Sequence, residues 1–196
     1  MARSSAGLNL VETSGRCRRW ADETVAAQYS VRMMVRTDGI VSLTLFTSSD
    51  APVMYEGDHD LEMRKRFDCP DHFVPSLEHS RNVITRWERE RAAGQRFPFA
   101  VREASSGALA GGCELRPLGA KSANVSYWTY PAHRRRGVAS RAVALLREPA
   151  FTEFGINRLE IVVVIDNVGS RRVALCNGFI EVGMREGKVL YIRDRG

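Results

Sequence analysis

The chain has 196 residues, 44% of them hydrophobic and 27% charged, with a net charge of +6. This length and balance predict one globular domain with a full core and room for an appendage, and no apolar run reaches the length that spans a membrane. The arginine surplus attracts anions of any kind, yet no basic block interleaves with aromatics as in a single-strand binder, so nucleic acid is not an expected partner.

Cys17, Cys69, Cys113 and Cys176 lie far apart with no C-x-x-C pair, and His59, His72, His79 and His133 form no H-E-x-x-H. Neither a disulfide framework nor a metal site is expected, and reduced thiols suit a cytoplasmic setting. Residues 1–17 contain no continuous apolar segment of the kind a secretory leader needs.

In chain order, residues 1–14 are small and polar and read as disordered. Residues 18–31 fit a short helix carrying Trp20, Val25 and Tyr29. Residues 1–39 together read as an N-terminal extension to a domain over 40–196. Residues 40–46 alternate Val41, Leu43 and Leu45 with Ser42, Thr44 and Phe46, which predicts a strand. A capping cluster at 47–50 precedes a short helix over 51–59 with Pro52 in its first turn. Residues 60–75 show no clear period. From Ser76 a helix runs to about residue 93, with Leu77, Val83, Ile84 and Trp87 inward, and Gly94 stops it. Strands over 97–103 and 109–115 follow, joined by a hairpin-like turn at Gly107.

The next strand covers 123–130, where Val125, Tyr127 and Thr129 alternate with Asn124, Ser126 and Trp128, and Pro131 ends it. Val138, Ala142, Leu145 and Leu146 recur at helical spacing to about residue 154, with a break or kink expected at Pro149. Ile161 to Ile165 is an almost unbroken β-branched run, as in a strand covered by helices on both faces. A short helix over 169–176 ends at Asn177-Gly178, and strands over 180–185 and 189–193 close as a hairpin around Glu186-Gly187. The element order is that of a mixed α/β (α+β) fold.

Between the strand ending at Tyr130 and the helix opening at Val138 stand Arg134, Arg135, Arg136 and Gly137. A strand leading through a glycine turn into a helix presents unpaired N–H groups at the positive end of the helix dipole. With three arginines beside them, a diphosphate is the anion that fits best.

The spacing Arg134-x-x-Gly137-x-Ala139 matches an R/Q-x-x-G-x-G/A loop. Trp128 and Pro131 precede it, and Arg158-Leu-Glu160, Asn167-x-x-Ser170 and Asn177-Gly178-Phe179 follow in order. On these motifs, residues 40–193 resemble the GCN5-related N-acetyltransferases, and within them the subgroup that acetylates ribosomal-protein N-termini. The resemblance implies a single domain with a mixed, mostly antiparallel central sheet flanked by helices, and parallel central strands that splay apart. It implies acetyl-CoA as co-substrate and no metal. The acceptor would be an amine, on a protein N-terminus or a small molecule, and the chain a monomer or homodimer.

Carried onto this chain, the resemblance assigns the pantetheine arm to main-chain groups of Tyr127, Trp128 and Thr129. The diphosphate falls to Arg134, Arg135, Arg136, Gly137, Val138, Ala139 and Ser140, with Arg134 gripping it or merely solvated. Asn167 would bond the arm, cap the following helix, or do both. Ser170 is the acid for the departing thiolate or an ordinary first-turn serine. Glu160 is the base unless it only pairs with Arg158; Glu114 is its rival, and water is a third acceptor for the amine proton. His133 reads as a surface loop residue, and neither Cys113 nor Cys176 has a histidine partner set by motif. Asn124 and Arg141 stand where many relatives carry carboxylates, and Ala174 replaces the usual tyrosine acid. A non-catalytic acyl-CoA-binding or regulatory module of the same fold is therefore the competing reading.

Overall fold

The computed structural model describes residues 35–196. The helix expected over 18–31 lies outside the described residues. Strand β1 (Arg36–Thr37) is the first element of the described residues and turns at Gly39, with φ +84°, into β2 (Val41–Thr44). Asp38 Oδ1 closes this turn by accepting the Ile40 and Val41 N–H groups, each at 2.9 Å. The sheet therefore begins inside the stretch read as an extension, because a side-chain turn needs no hydrophobic period to form.

A 3₁₀ turn (Ser48–Asp50) leads into α1 (Ala51–Gly57), and the unpatterned stretch contains α2 (Leu61–Arg66). Asp60 caps α2 by accepting the Met63 N–H at 2.8 Å, a start signal too short-ranged to show as periodicity. Then come α3 (Leu77–Ala92), β3 (Phe97–Glu103), β4 (Leu109–Gly119) and β5 (Ser122–Thr129). After the 3₁₀ turn Pro131–His133, α4 (Val138–Thr152), β6 (Arg158–Val164), α5 (Val168–Cys176), β7 (Ile180–Arg185) and β8 (Lys188–Asp194) complete the domain. Helix α4 runs through Pro149 without the expected break. Pro149 denies a donor only to the Leu145 carbonyl, and its own carbonyl accepts from the Glu153 N–H at 2.8 Å, so the ladder resumes past it.

The eight strands of the described residues form one sheet in the order β1-β2-β3-β4-β5-β6-β8-β7. Among the described strands only β5 and β6 are parallel, and they pair at three positions: Ser122–Arg158, Ala123–Leu159 and Asn124–Glu160. Beyond Asn124 the two strands part, while β5 stays registered with β4 as far as Thr129. On one face, α4 and α5 cover a continuous core that includes Val125, Leu146, Leu159, Ile161 and Tyr191. On the other face, α1, α2 and α3 pack a smaller core around Met54, Met63, Ile84, Trp87 and Tyr130. Strand β6 does not have helices on both sides. Leu159, Ile161 and Val163 are buried, but Val162 and Val164 are only half-buried, since the second helical layer stops over β5.

Candidate active site: a wedge between two parallel strands

Strand alternation divides β5 between the two layers. Val125 and Tyr127 face α4, whereas Trp128 faces α3 and lies among Phe46, Phe67 and Trp87, with ring centroids 5.8–6.1 Å away. Gly112 on β4 makes this packing feasible, because a Cβ there would run into the Trp128 ring. The Tyr127 hydroxyl donates to the Ser170 carbonyl at 2.9 Å and so ties β5 to the first turn of α5 across the wedge. Burial pushes this phenol well above its ordinary pKa, which keeps it a donor.

At the wide end of the wedge, Arg135 has φ +60° and Gly137 has φ +76°. These two left-handed residues fold the loop so that the N–H groups of residues 135–140 meet no acceptor among the described residues. The helix ladder opens only at Arg141, whose N–H reaches the Gly137 carbonyl at 3.0 Å. A consecutive row of free N–H groups at the N-terminus of a 15-residue helix is an anion cradle. A left-handed non-glycine residue beside it is the kind of strain that gathers at binding sites.

The three arginines have different surroundings. Arg134 turns away from the cradle: it bonds Asp60 at 2.5 Å, Glu62 at 3.1 Å and the Thr129 carbonyl at 3.2 Å. The Arg134 hydrogen bond holds the Asp60 carboxyl below the usual carboxylate range. Arg136 lies 3.5 Å from Glu103, which His133 also engages at 2.8 Å through Nδ1. His133 is therefore a bracket between the loop and β3 rather than a free surface residue. Arg135 is exposed and forms no ion pair among the described residues. Of the three loop arginines, Arg135 alone is thus unpaired among the described residues.

At the narrow end, Glu160 is 8% exposed and pairs with Arg185 at 2.6 Å through Oε2. Its expected partner Arg158 instead holds Asp194, at 2.7 Å. Residues far apart in sequence meet here because β8 lies beside β6 and β7 beside β8. The Asn124 amide donates to the Glu160 carbonyl at 3.3 Å and closes the wedge at its apex. Glu114 is more fully committed than Glu160: Arg96, Arg116 and Ser126 all bond its carboxylate, at 2.6, 2.9 and 2.8 Å. That saturation removes it as a free base.

Asn167 Oδ1 accepts the Ser170 N–H at 3.0 Å, so the asparagine caps α5. Ser170 is half-buried and has its N–H fixed by Asn167 and its carbonyl by Tyr127, which aims its side chain from a rigid turn. Burial raises the pKa of the Cys113 thiol well above its ordinary value and leaves it inert. Among the described residues there is no cluster of His, Cys, Asp or Glu suited to a metal.

Sequence reasoning missed the strut formed by α2. Asp60 and Glu62 at its start hold Arg134 just after β5, and Arg66 at its end holds Asp166 just after β6, at 2.7 Å. Phe67 meets the Trp128 ring edge-on. The charges were visible, but their partners stand 72–100 residues away.

The profile of the family described as acetyltransferase (GNAT) domain matches residues 41–180. A probable N-acetyltransferase of Bacillus subtilis (strain 168), YjcK, is 30% identical over 117 residues, covering 58% of this chain; the match spans only 65% of the relative's own length. Among solved structures, a putative ribosomal-protein-serine acetyltransferase from Vibrio cholerae superposes with a TM-score of 0.68 at 19% identity, covering 83% of this chain and 98% of that one. RimJ of Mycobacterium smegmatis, solved with a CoA disulfide, gives 0.67 at 20% identity over 82% and 85%. The ribosomal L7/L12 acetyltransferase RimL, solved with coenzyme A, gives 0.72 at 18% identity over 82% and 97%. No described helix is long and apolar enough to cross a membrane. From the profile match, the splayed parallel pair and the cradle beside it, this chain belongs to the GNAT acetyltransferase family.

Proposed function

We propose that the protein is an acetyl-CoA-dependent N-acetyltransferase that acts on a primary amine by direct transfer. The observation that carries this reading is the row of unpartnered N–H groups over 135–140, standing at the mouth of the wedge between β5 and β6. Coenzyme A bound in two of the solved relatives supports it.

Acetyl-CoA supplies an activated acyl carbon on a thiol leaving group. In this chain the N–H row of residues 135–140 binds the diphosphate, and Arg135 adds positive charge. The β5 main chain at Tyr127, Trp128 and Thr129 is not registered with β6, and apart from the Thr129 carbonyl, which accepts from Arg134, its groups on that edge bond the pantetheine arm as an added strand would. Asn167 acts first as the cap of α5, and its amide group faces the same arm. A β5 main-chain N–H also stabilises charge developing on the thioester oxygen.

The amine nitrogen attacks the acyl carbon, a C–N bond forms and the C–S bond breaks. Ser170 protonates the departing sulfur and is recharged by water. Glu160 Oε1, which accepts from no described side chain, takes the proton lost by the amine. The acceptor reaches the wedge from the face shared by Trp128, Phe67 and Glu160, with α2 as its wall. Holding both reactants in one cleft supplies much of the acceleration.

The test is a panel of peptide N-termini, lysine side chains, polyamines and aminated small molecules incubated with acetyl-CoA, with product mass as the readout. Acetylation of one class is the expected result. Coenzyme A binding with no turnover of any amine would replace this reading with the non-catalytic acyl-CoA-binding module. Absence of any coenzyme A binding would refute both.

A further inference from the structure

Asn177, the C-cap residue of α5, lies outside the wedge and is 3% exposed. Its Nδ2 donates to the Val173 carbonyl at 2.9 Å and to Ser140 Oγ at 3.1 Å. The Val173 oxygen only accepts, so the group facing it must be the NH₂ end of the amide, and this fixes the orientation of the side chain. The second amide hydrogen then points at Ser140, whose oxygen is the acceptor.

A serine hydroxyl has one hydrogen to give. With its oxygen facing Asn177, Ser140 keeps that hydrogen free, and no described residue accepts it. Ser140 is the last residue of the free N–H row and sits in the first turn of α4.

Asn177 is itself held firmly. Arg147 and Arg193 both donate to its main-chain carbonyl, at 3.0 and 2.5 Å, and place two guanidiniums at the negative end of α5. The Arg193 guanidinium fills the space over Gly178, where a Cβ would collide with it.

We propose that Asn177 is a positioning residue for the cofactor site: it orients the Ser140 hydroxyl as a donor to the diphosphate. This rests on the acyl-CoA reading above and adds a residue from the opposite end of α5. A charge-assisted hydrogen bond is lost if Ser140 has no hydroxyl, or if the hydroxyl turns inward.

The experiment is a double-mutant cycle read as the coenzyme A dissociation constant by calorimetry. Ser140→Ala is expected to weaken binding by about tenfold or more, while Ser140→Thr, which keeps the hydroxyl, holds near the wild-type value. Asn177→Ala is expected to lose about as much as Ser140→Ala, and nothing further when added to it. Additive losses in the double variant would overturn the proposal, because Asn177 would then act on the fold and not through Ser140. Should Asn177→Ala not fold, the Ser140 pair decides alone: unchanged affinity in Ser140→Ala sinks the idea. Wild-type protein that binds no coenzyme A removes the acyl-CoA reading itself, and this inference with it.

Discussion

The two edges of β5 make an instructive contrast. Toward β4 it is registered from Ser122 to Thr129; toward β6 it is registered only from Ser122 to Asn124. One edge is spent on the sheet. The other leaves main-chain donors and acceptors unpaired beside a helix N-terminus, and unpaired main-chain groups in a cleft want a partner. A bound arm would complete the sheet, and the proposed site is where the fold stops short of closing itself.

If the open edge is the reactive one, the largest effect belongs to Ser170→Ala. It should lower kcat by about 10²-fold or more while coenzyme A affinity holds, since one general acid contributes about 10²–10⁴-fold. An unchanged kcat in single-turnover measurements would make Ser170 only a helix-start residue.

Next comes Gly137→Val. No atom lies within 4 Å of where a Cβ would stand, so the strain comes from φ +76° alone. A left-handed non-glycine residue costs about 1–2 kcal/mol, and more when β-branched. The unliganded melting temperature should fall by several degrees, since about 1 kcal/mol shifts a domain of this size by about 2–4 °C, and the further rise given by acetyl-CoA should shrink strongly. A full shift in a folded variant would move the diphosphate elsewhere.

A smaller change is expected from Tyr127→Phe, which cuts the link between β5 and α5. Losing one hydroxyl bond to a carbonyl costs about 1 kcal/mol or slightly more, because the Ser170 carbonyl loses its donor. Urea unfolding measures the stability, and kcat should fall with it if the link aims Ser170. Lower stability at constant kcat would leave the link purely structural.

The smallest effect concerns the α2 strut. Asp60 has a folded pKa below its unfolded one, so its contribution is present above the unfolded value and disappears as pH falls through the folded value. Asp60→Asn should therefore lower stability at neutral pH and flatten the acid limb of the stability profile. An acid limb identical to wild type would show that the pair with Arg134 carries no net energy.

The sequence by itself determined the elements with strong local signals. The alternation through β5, the Gly137 turn and the helical spacing from Val138 all depend on residues within one element, and so did the cradle they build. It determined less over 60–75, where α2 rests on one Asp60 cap, and at Pro149, where the loss of a single donor did not end the helix. Tertiary structure alone decided which carboxylates are free. Glu114 is saturated by Arg96 and Arg116, Glu160 is paired with Arg185 and not Arg158, and Arg134 is turned from the cradle by Asp60. An ion pair is chosen by which charges the sheet order brings within a few ångströms, and Coulomb energy falls too steeply with distance in water for sequence neighbours to have priority. The same holds for Asn177 and Ser140: 37 residues apart, they meet only because α4 and α5 share one face of the sheet.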